Sequence, residues 1–353
     1  MAFDPVRAQR FAARLIETLN GAALGLMISV GHRIGLFDVM RDLAPAGATQ
    51  IALQAGLAER YVGEWLAAMA TAGVLEHDPA SGTYRLPPEH AAALTRAARP
   101  NNLAVTFQWI PLLGAVEDEI VKCFASGGGV RRSAYRRCHA VTAEESDQTV
   151  VASLLERILP LVPELPARLA RGCDVLDVGC GSGQALARMA EAFPNSRFTG
   201  VDSRPRAIEL ARIDARGVAN LRFEARGATN FERVDAFDLI TAFDAIHDQA
   251  DPDAVLVSVA RALHLDGIFL MQEIAGALNE GAAHPLATFQ SARSCLHFTS
   301  VSLAAGGAGL GALGGEGAAR RMLAEAGFAP VEVLALAHDP IHRYYVARKA
   351  QDL

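Results

Sequence analysis

Apolar positions recur at three- and four-residue steps from Phe11 to Val39: Phe11, Leu15, Leu19, Ala22, Ala23, Leu26, Met27, Val30 and Ile34. That period predicts helix, with Asn20-Gly21 as its weak point, since glycine is unfavourable in a helix interior. So long an apolar surface exceeds what one small domain covers, and predicts burial against a second subunit or within its own domain. From 49 to 86 the pattern is compact. A short helix (50–54) follows Ala48-Thr49, Gly56 turns the chain, and a second helix runs over 58–72 until Gly73 stops it. The runs 74–76 and 83–86 flank Asp78-Pro79-Ala80-Ser81-Gly82, a hairpin signal. Helix, turn, helix, hairpin is a winged-helix order. More helix follows to about 160, broken at Gly127-Gly128-Gly129 and by Arg131, Arg132, Arg136 and Arg137, which read as a solvated face or a phosphate clamp.

After Pro163 and Pro166 short apolar runs alternate with helical ones: 174–178 then 184–193, 197–201 then 206–215, 221–224, 237–242 then 254–263, and 268–271. This alternation predicts a parallel sheet with helices on both faces. A helix at 316–326, then strands at 331–335 and 342–347 around Asp339-Pro340, predict a closing antiparallel hairpin. The fold class is thus α/β, a Rossmann-like seven-stranded domain over 166–353 preceded by a mainly helical winged-helix domain over 1–165. His338 and His342 read as surface or sheet-edge residues.

Composition narrows the class. Of 353 residues 51% are hydrophobic and 20% charged, which excludes disorder over most of the length. A net charge of −6 argues against a protein whose main work is holding a polyanion. No unbroken apolar run reaches about 18 residues, and the first ten lack an apolar signal core, so no membrane association is expected. Five cysteines without a CxxC pair fit free thiols in a reducing, cytoplasmic setting.

The most informative stretch is Asp174-Val-Leu-Asp177-Val-Gly179-Cys-Gly181-Ser-Gly183, a strand that runs through glycines into a helix. Glycines let a ligand approach the backbone at a helix N-terminus. The GxGxG spacing does not fit the dinucleotide GxGxxG, which argues against a nicotinamide-dependent oxidoreductase. The next strand ends at Asp202, where a carboxylate beside the glycine loop can accept both hydroxyls of a ribose or cap the next helix.

This combination resembles the class I S-adenosylmethionine-dependent methyltransferases. The likeness spans the second half and implies S-adenosylmethionine as cofactor. Gly179, Gly181 and Gly183 would then line its methionine and ribose, Asp202 would hold the ribose, and Asp177, Ser203, Ala228, Phe243 and Asp244 would lie alongside. Where the family often carries an acidic residue near the adenine, this chain has Gly227, so backbone at Ala228 or the Asn230 side chain is the expected substitute. The segment Phe243-Asp-Ala-Ile-His247-Asp-Gln-Ala-Asp251 is similar to that of winged-helix small-molecule O-methyltransferases, which implies His247 as general base and Glu273 as its orienting carboxylate. A plain cap of the strand–helix junction is the alternative for His247. His297 and Tyr135 are candidate acceptor contacts, with His297 also open as a structural residue or a second base; the glycine-rich stretch 306–317 and Gly127–Gly129 are candidate covers or plain linkers, and no carboxylate–histidine set has metal-ligand spacing. The likeness extends to Gly31-His-Arg-Ile-Gly35-Leu-Phe-Asp38 and Trp109-Ile-Pro-Leu-Leu113, which implies dimerisation through the first half. The expected partners are a small-molecule acceptor and a second copy of the chain. A winged-helix transcription regulator with a cofactor-sensing half is the competing class. Its reading helix should be basic, whereas 58–72 carries Arg60 among Glu59 and Glu64 and no lysine.

Overall fold

The computed structural model describes residues 3–229, 234–275, 285–311 and 314–350. Asn230 and residues 312–313 of the glycine-rich stretch lie outside them. The chain forms two compact units, one of residues 1–114 and 140–148, the other of 115–139 and 149–353. This division differs from the expected boundary at 165/166, because 115–139 and 149–165 pack with the second unit.

The first unit opens with α1 (Pro5–Arg33), continuous through Asn20-Gly21. Asp4 caps it, accepting from the amides of Val6 at 2.9 Å and Arg7 at 3.1 Å. Then come α2 (Leu36–Arg41), α3 (Ala48–Ala55), α4 (Glu59–Thr71), the hairpin strands β1 (Glu76–Asp78) and β2 (Thr83–Arg85), α5 (Pro88–Leu94) and α6 (Trp109–Gly114). The hairpin is shorter than expected, since Leu75 turns into the core instead of pairing (3% exposed). α1 packs closely where Gly31 meets Trp65: a Cβ there would stand 2.4 Å from the indole. The indole Nε1 donates to the Met27 carbonyl at 2.9 Å, and Phe37 meets the same ring edge-on at 5.2 Å. Buried His32 lies 3.0 Å from Glu144, which Arg96 also holds while reaching Asp38 at 2.6 Å. The hydrogen bond from His32, opposed by burial and helped by Gln108 and the Arg96 charge, takes the Glu144 carboxyl down to about 2. So the Gly31–Asp38 motif supplies a close helix contact and an ion-pair node. The other end of α1 stays bare, with Phe11, Leu15, Ile16 and Leu19 all more than half exposed.

The second unit holds α7 (Glu117–Ser126) and the start of α8 (Cys138–Ser146), which ends in the first unit. After short π and 3₁₀ turns come α9 (Leu165–Arg171), β3 (Asp174–Val178), α10 (Gln184–Ala192), β4 (Arg197–Asp202), α11 (Pro205–Asp214), β5 (Leu221–Ala225), β6 (Phe237–Phe243), α12 (Pro252–Ala262), β7 (Leu263–Ile274), α13 (Ala287–Arg293), α14 (Ser300–Ala304), α15 (Glu316–Glu325), β8 (Phe328–Leu336) and β9 (Asp339–Lys349). The seven-stranded sheet runs β5-β4-β3-β6-β7-β9-β8. Its first five strands are parallel, and β9 is antiparallel to both β7 and β8. Apolar layers cover both faces, Leu176, Ile240 and Phe269 on one and Phe198, Leu186 and Leu270 on the other. Strands buried on both sides read as continuous apolar runs, which is why β3, β6 and β7 were legible. β3 neighbours both β4 and β6, so strand order reverses there, and ligands of such sheets sit beyond the strand ends at that point.

Candidate functional site

The glycine loop leaves β3 with Gly179, Gly181 and Gly183 at φ 73°, 56° and 74°, left-handed values that favour glycine. Two of the three are also steric necessities: a Cβ on Gly179 would lie 2.5 Å from Ala245, and one on Gly183 2.4 Å from the Phe223 ring. Gly181 borders open space, with only Arg204 Nη2 within reach at 3.7 Å. The amides of Gly179 and Cys180 are spent on the Val201 carbonyl, so the loop offers no phosphate cradle. Behind it Asp177, 3% exposed, accepts from the Thr241 hydroxyl at 2.7 Å. Burial pushes its carboxyl up to about 7 against that hydrogen bond.

Asp202 ends β4 and is 5% exposed. Its Oδ2 accepts from the Gly181 amide at 3.1 Å, and Arg204 holds both oxygens through its own amide (2.9 Å), Nε (2.8 Å) and Nη2 (2.7 Å). Burial alone would raise this carboxyl, but the Arg204 hydrogen bonds and charge outweigh it and hold it below its usual range. Arg204 Nη1 lies 2.9 Å from His139 Nδ1. Nothing in the pattern of the chain pointed to Arg204 except its place two residues past Asp202. Of the remaining expected cofactor residues, Ala228 is buried, Phe243 and Asp244 are half-buried, and Ser203 is exposed.

His247 lies between β6 and α12, where Asp251 caps the helix by accepting from the Ala254 amide at 3.0 Å. Glu273, at the end of β7 and 1% exposed, receives three groups from this connection. Its Oε1 accepts from the amides of Ile246 (2.8 Å) and His247 (3.3 Å), and its Oε2 lies 2.5 Å from His247 Nδ1. One carboxylate thus fixes both the backbone and the ring. Burial lowers the imidazole's proton affinity, but the Glu273 charge and hydrogen bond, with Asp248 and Asp244, carry it up to about 9. His247 Nε2 stands 3.9 Å from Asp248, which pairs with Arg132 at 2.6 Å, so Arg132 is not on the solvated face expected for its stretch. Spacing revealed no metal set, yet folding brings donor atoms of Asp244, His247 and Glu273 within 4.8 Å of one another. The short Nδ1–Oε2 contact makes this a hydrogen-bonded group.

Phe298 meets the His247 ring edge-on at 4.4 Å. Behind it stand the two expected acceptor contacts. His297 is 2% exposed, 3.5 Å from Cys138 Sγ and edge-on to Tyr135 at 4.8 Å. Burial, partly offset by Asp248, takes its imidazole down to about 3, so it stays neutral. Tyr135 is equally buried and donates its hydroxyl to the Leu296 carbonyl at 2.6 Å. Both therefore pack as a buttress for Phe298. The candidate covers are docked too: Gly129 lies so close to Ser300 that a Cβ would overlap its carbonyl, and Gly307 is pinned against Ser302 and Ala250. His342, read as a surface or sheet-edge residue, is 5% exposed, because β9 lies inside the sheet and Asp339 and Asp244 pack against the ring.

Residues 22–96 match the family described as Rv2258c-like winged HTH domain, and residues 169–327 the family described as Methyltransferase domain. A trans-aconitate 2-methyltransferase from Enterobacter sp. (strain 638) is 35% identical over 119 residues, 33% of this chain and 46% of that protein. The chain spans about half the length of the first curated relatives it matches. Among solved structures, human N-acetylserotonin methyltransferase in complex with SAM superposes with a TM-score of 0.70 at 15% identity, covering 99% of this chain and 100% of that one. An O-methyltransferase family protein from Burkholderia thailandensis gives 0.67 at 15%, covering 100% of both. Residues 22–96 thus carry the pattern of a winged helix-turn-helix domain and residues 169–327 that of a methyltransferase domain, and the solved structures share the fold of the chain.

Proposed function

We propose that this chain transfers a methyl group from S-adenosylmethionine to a hydroxyl of a small molecule, with His247 as general base and Glu273 as its orienting partner. The observation that carries this reading is the buried 2.5 Å contact between His247 Nδ1 and Glu273 Oε2 beyond the ends of β6 and β7. The left-handed loop glycines, the open side of Gly181 and the carboxylate of Asp202 fit the cofactor's ribose and methionine.

When bound, the cofactor supplies an electrophilic methyl group on a positively charged sulfur. Asp202 would hold the ribose hydroxyls, in place of the Arg204 guanidinium that pairs with it here. His247 Nε2 takes the acceptor's proton, and Glu273 stabilises the imidazolium that results. At neutral pH His247 largely holds a proton, so the competent base is a minority form that grows as pH rises towards 9. Positive charge arriving beside the ring favours the neutral form. His297 and Tyr135 support Phe298 at the acceptor side. The bare apolar end of α1 supports a homodimer formed through the first unit. Incubation with methyl-labelled cofactor and a panel of phenols, alcohols and carboxylic acids tests the reading. Label in an ether product supports it; label only in esters, amines or carbon positions, or none at all, overturns it.

A further inference from the structure

The charged groups at His247 do not stop at Glu273. Asp244, the first residue past β6, adopts φ 50°, a left-handed backbone uncommon for a non-glycine residue. Its Oδ2 stands 3.1 Å from His342 Nε2, and its Oδ1 is buried without a partner. His342 Nδ1 lies 2.8 and 2.9 Å from the two oxygens of Asp339. Asp339 also accepts from the Tyr344 hydroxyl at 2.6 Å and the Ile341 amide at 3.3 Å. Asp339, His342 and Tyr344 all lie on β9 and are buried. Since donor atoms of Asp244, His247 and Glu273 lie within 4.8 Å of one another, Glu273, His247, Asp244, His342, Asp339 and Tyr344 form one continuous row. Along it carboxylates and imidazoles alternate.

A row like this is poorly explained as hairpin glue. Buried ion pairs seldom stabilise a fold more than apolar residues of the same volume. It passes through the ring proposed as the base, where a fixed charge has the largest chemical effect.

We infer that His342 and Asp339 are positioning residues of the reaction: they hold Asp244 as a paired anion beside His247 and so set the pH at which His247 releases its proton. The inference rests on His247 being the base. Burial opposes a charge on His342, but Asp244 and Asp339 outweigh it and place its titration well above the usual range, so it is a cation at neutral pH. Asp339, raised by burial and lowered more strongly by His342, stays ionised. The other charges facing His247 are Glu273 from β7 and Asp248 beside it, the latter held by Arg132; neutral His297 and Phe298 close the remaining side. The Arg293 charge, from α13, also acts on Asp244.

The signs follow. His342→Gln leaves the Asp244 anion uncompensated, so His247 binds its proton more tightly. Asp339→Asn weakens the charge on His342 and acts in the same direction, less strongly. Asp244→Asn leaves the His342 cation facing His247 and acts in the opposite direction. Histidine-labelled protein, titrated by NMR, reads the His247 ring without any turnover. We expect its apparent pKa to rise by about 0.5–2 units in His342→Gln, to rise by less in Asp339→Asn, and to fall in Asp244→Asn, with the acid limb of the kcat profile moving alongside. An unmoved His247 titration in folded His342→Gln overturns the inference. If that variant does not fold, folded Asp339→Asn decides it in the same way, and equal movement by all three variants also overturns it. His247→Ala, assayed in parallel, separates the outcomes: wild-type turnover there sinks the base reading while leaving the coupling measured by NMR intact.

Discussion

At the scale of single residues, the groups at strand ends were legible. Asp202 and Glu273 stand at strand ends and His247 shortly past one, where ligands of such sheets sit. Arg204 and His342 were not legible, because their roles depend on what folding brings near them. Arg204 follows a carboxylate it folds back upon, and His342 is buried by Asp339 and by Asp244, which the sequence does not place beside it. Both groups carry predictions. Asp202→Ala removes a charged acceptor, and a hydrogen bond to a charged group contributes roughly 1.5–3 kcal/mol, so cofactor affinity should fall about ten- to hundredfold by calorimetry. Arg204→Ala should do the reverse, tightening cofactor binding several-fold, because the ribose no longer competes with a guanidinium. The apo protein should melt earlier, since Asp202 is then a buried anion without its cation. His247→Ala should bind cofactor normally and lose about 10²–10⁴-fold in transfer rate. Because His247 is held protonated up to about pH 9, the wild-type rate should climb from pH 6 to pH 9; a flat profile over that range would contradict the protonated resting state.

At the scale of elements, the period of apolar positions located most helices and strands of the sheet, because those strands are buried on both faces. It erred where a tertiary contact overrode the local signal. Asn20-Gly21 does not break α1, since no competing turn chemistry follows it and packing of Gly31 on Trp65 anchors the helix further along. Gly127–Gly129 read as a flap, yet Gly129 is glycine because it abuts the Ser300 carbonyl. Gly31→Ala offers a direct check on this account. Its methyl must displace the indole from 2.4 Å, an overpacking that costs roughly 1–3 kcal/mol. Chemical denaturation should show that loss, with the indole fluorescence of Trp65 reporting it. A variant as stable as wild type would mean the helix contact yields freely.

At the scale of the whole molecule, α1 is long and apolar enough to cross a membrane by length and composition alone, with 11% of its most apolar window buried. Its second half contributes Ile28, Ser29 and His32 to the packed unit, so the barest surface lies in its first half, with Leu26 and Val30 extending it at 44% and 41% exposure. That surface should be covered by a second copy: light scattering at micromolar concentration should give a dimer, and Ile16→Glu with Leu19→Glu should give a folded monomer. A monomeric wild type would leave the apolar face unexplained. The position of β9 has a consequence for how the protein is made. It lies between β7 and β8, though both precede it in the chain. While the ribosome has released β3 to β8, at about 5–20 residues per second, the edge of β7 stands open with Phe269 to Ile274 unpaired on one side. The sheet closes, and the partners of Asp244 arrive, only when the segment up to Lys349 has emerged. Nascent chains arrested before β9 should therefore be cut readily by protease and bind chaperones, with resistance appearing in one step as the final strand slots into its gap.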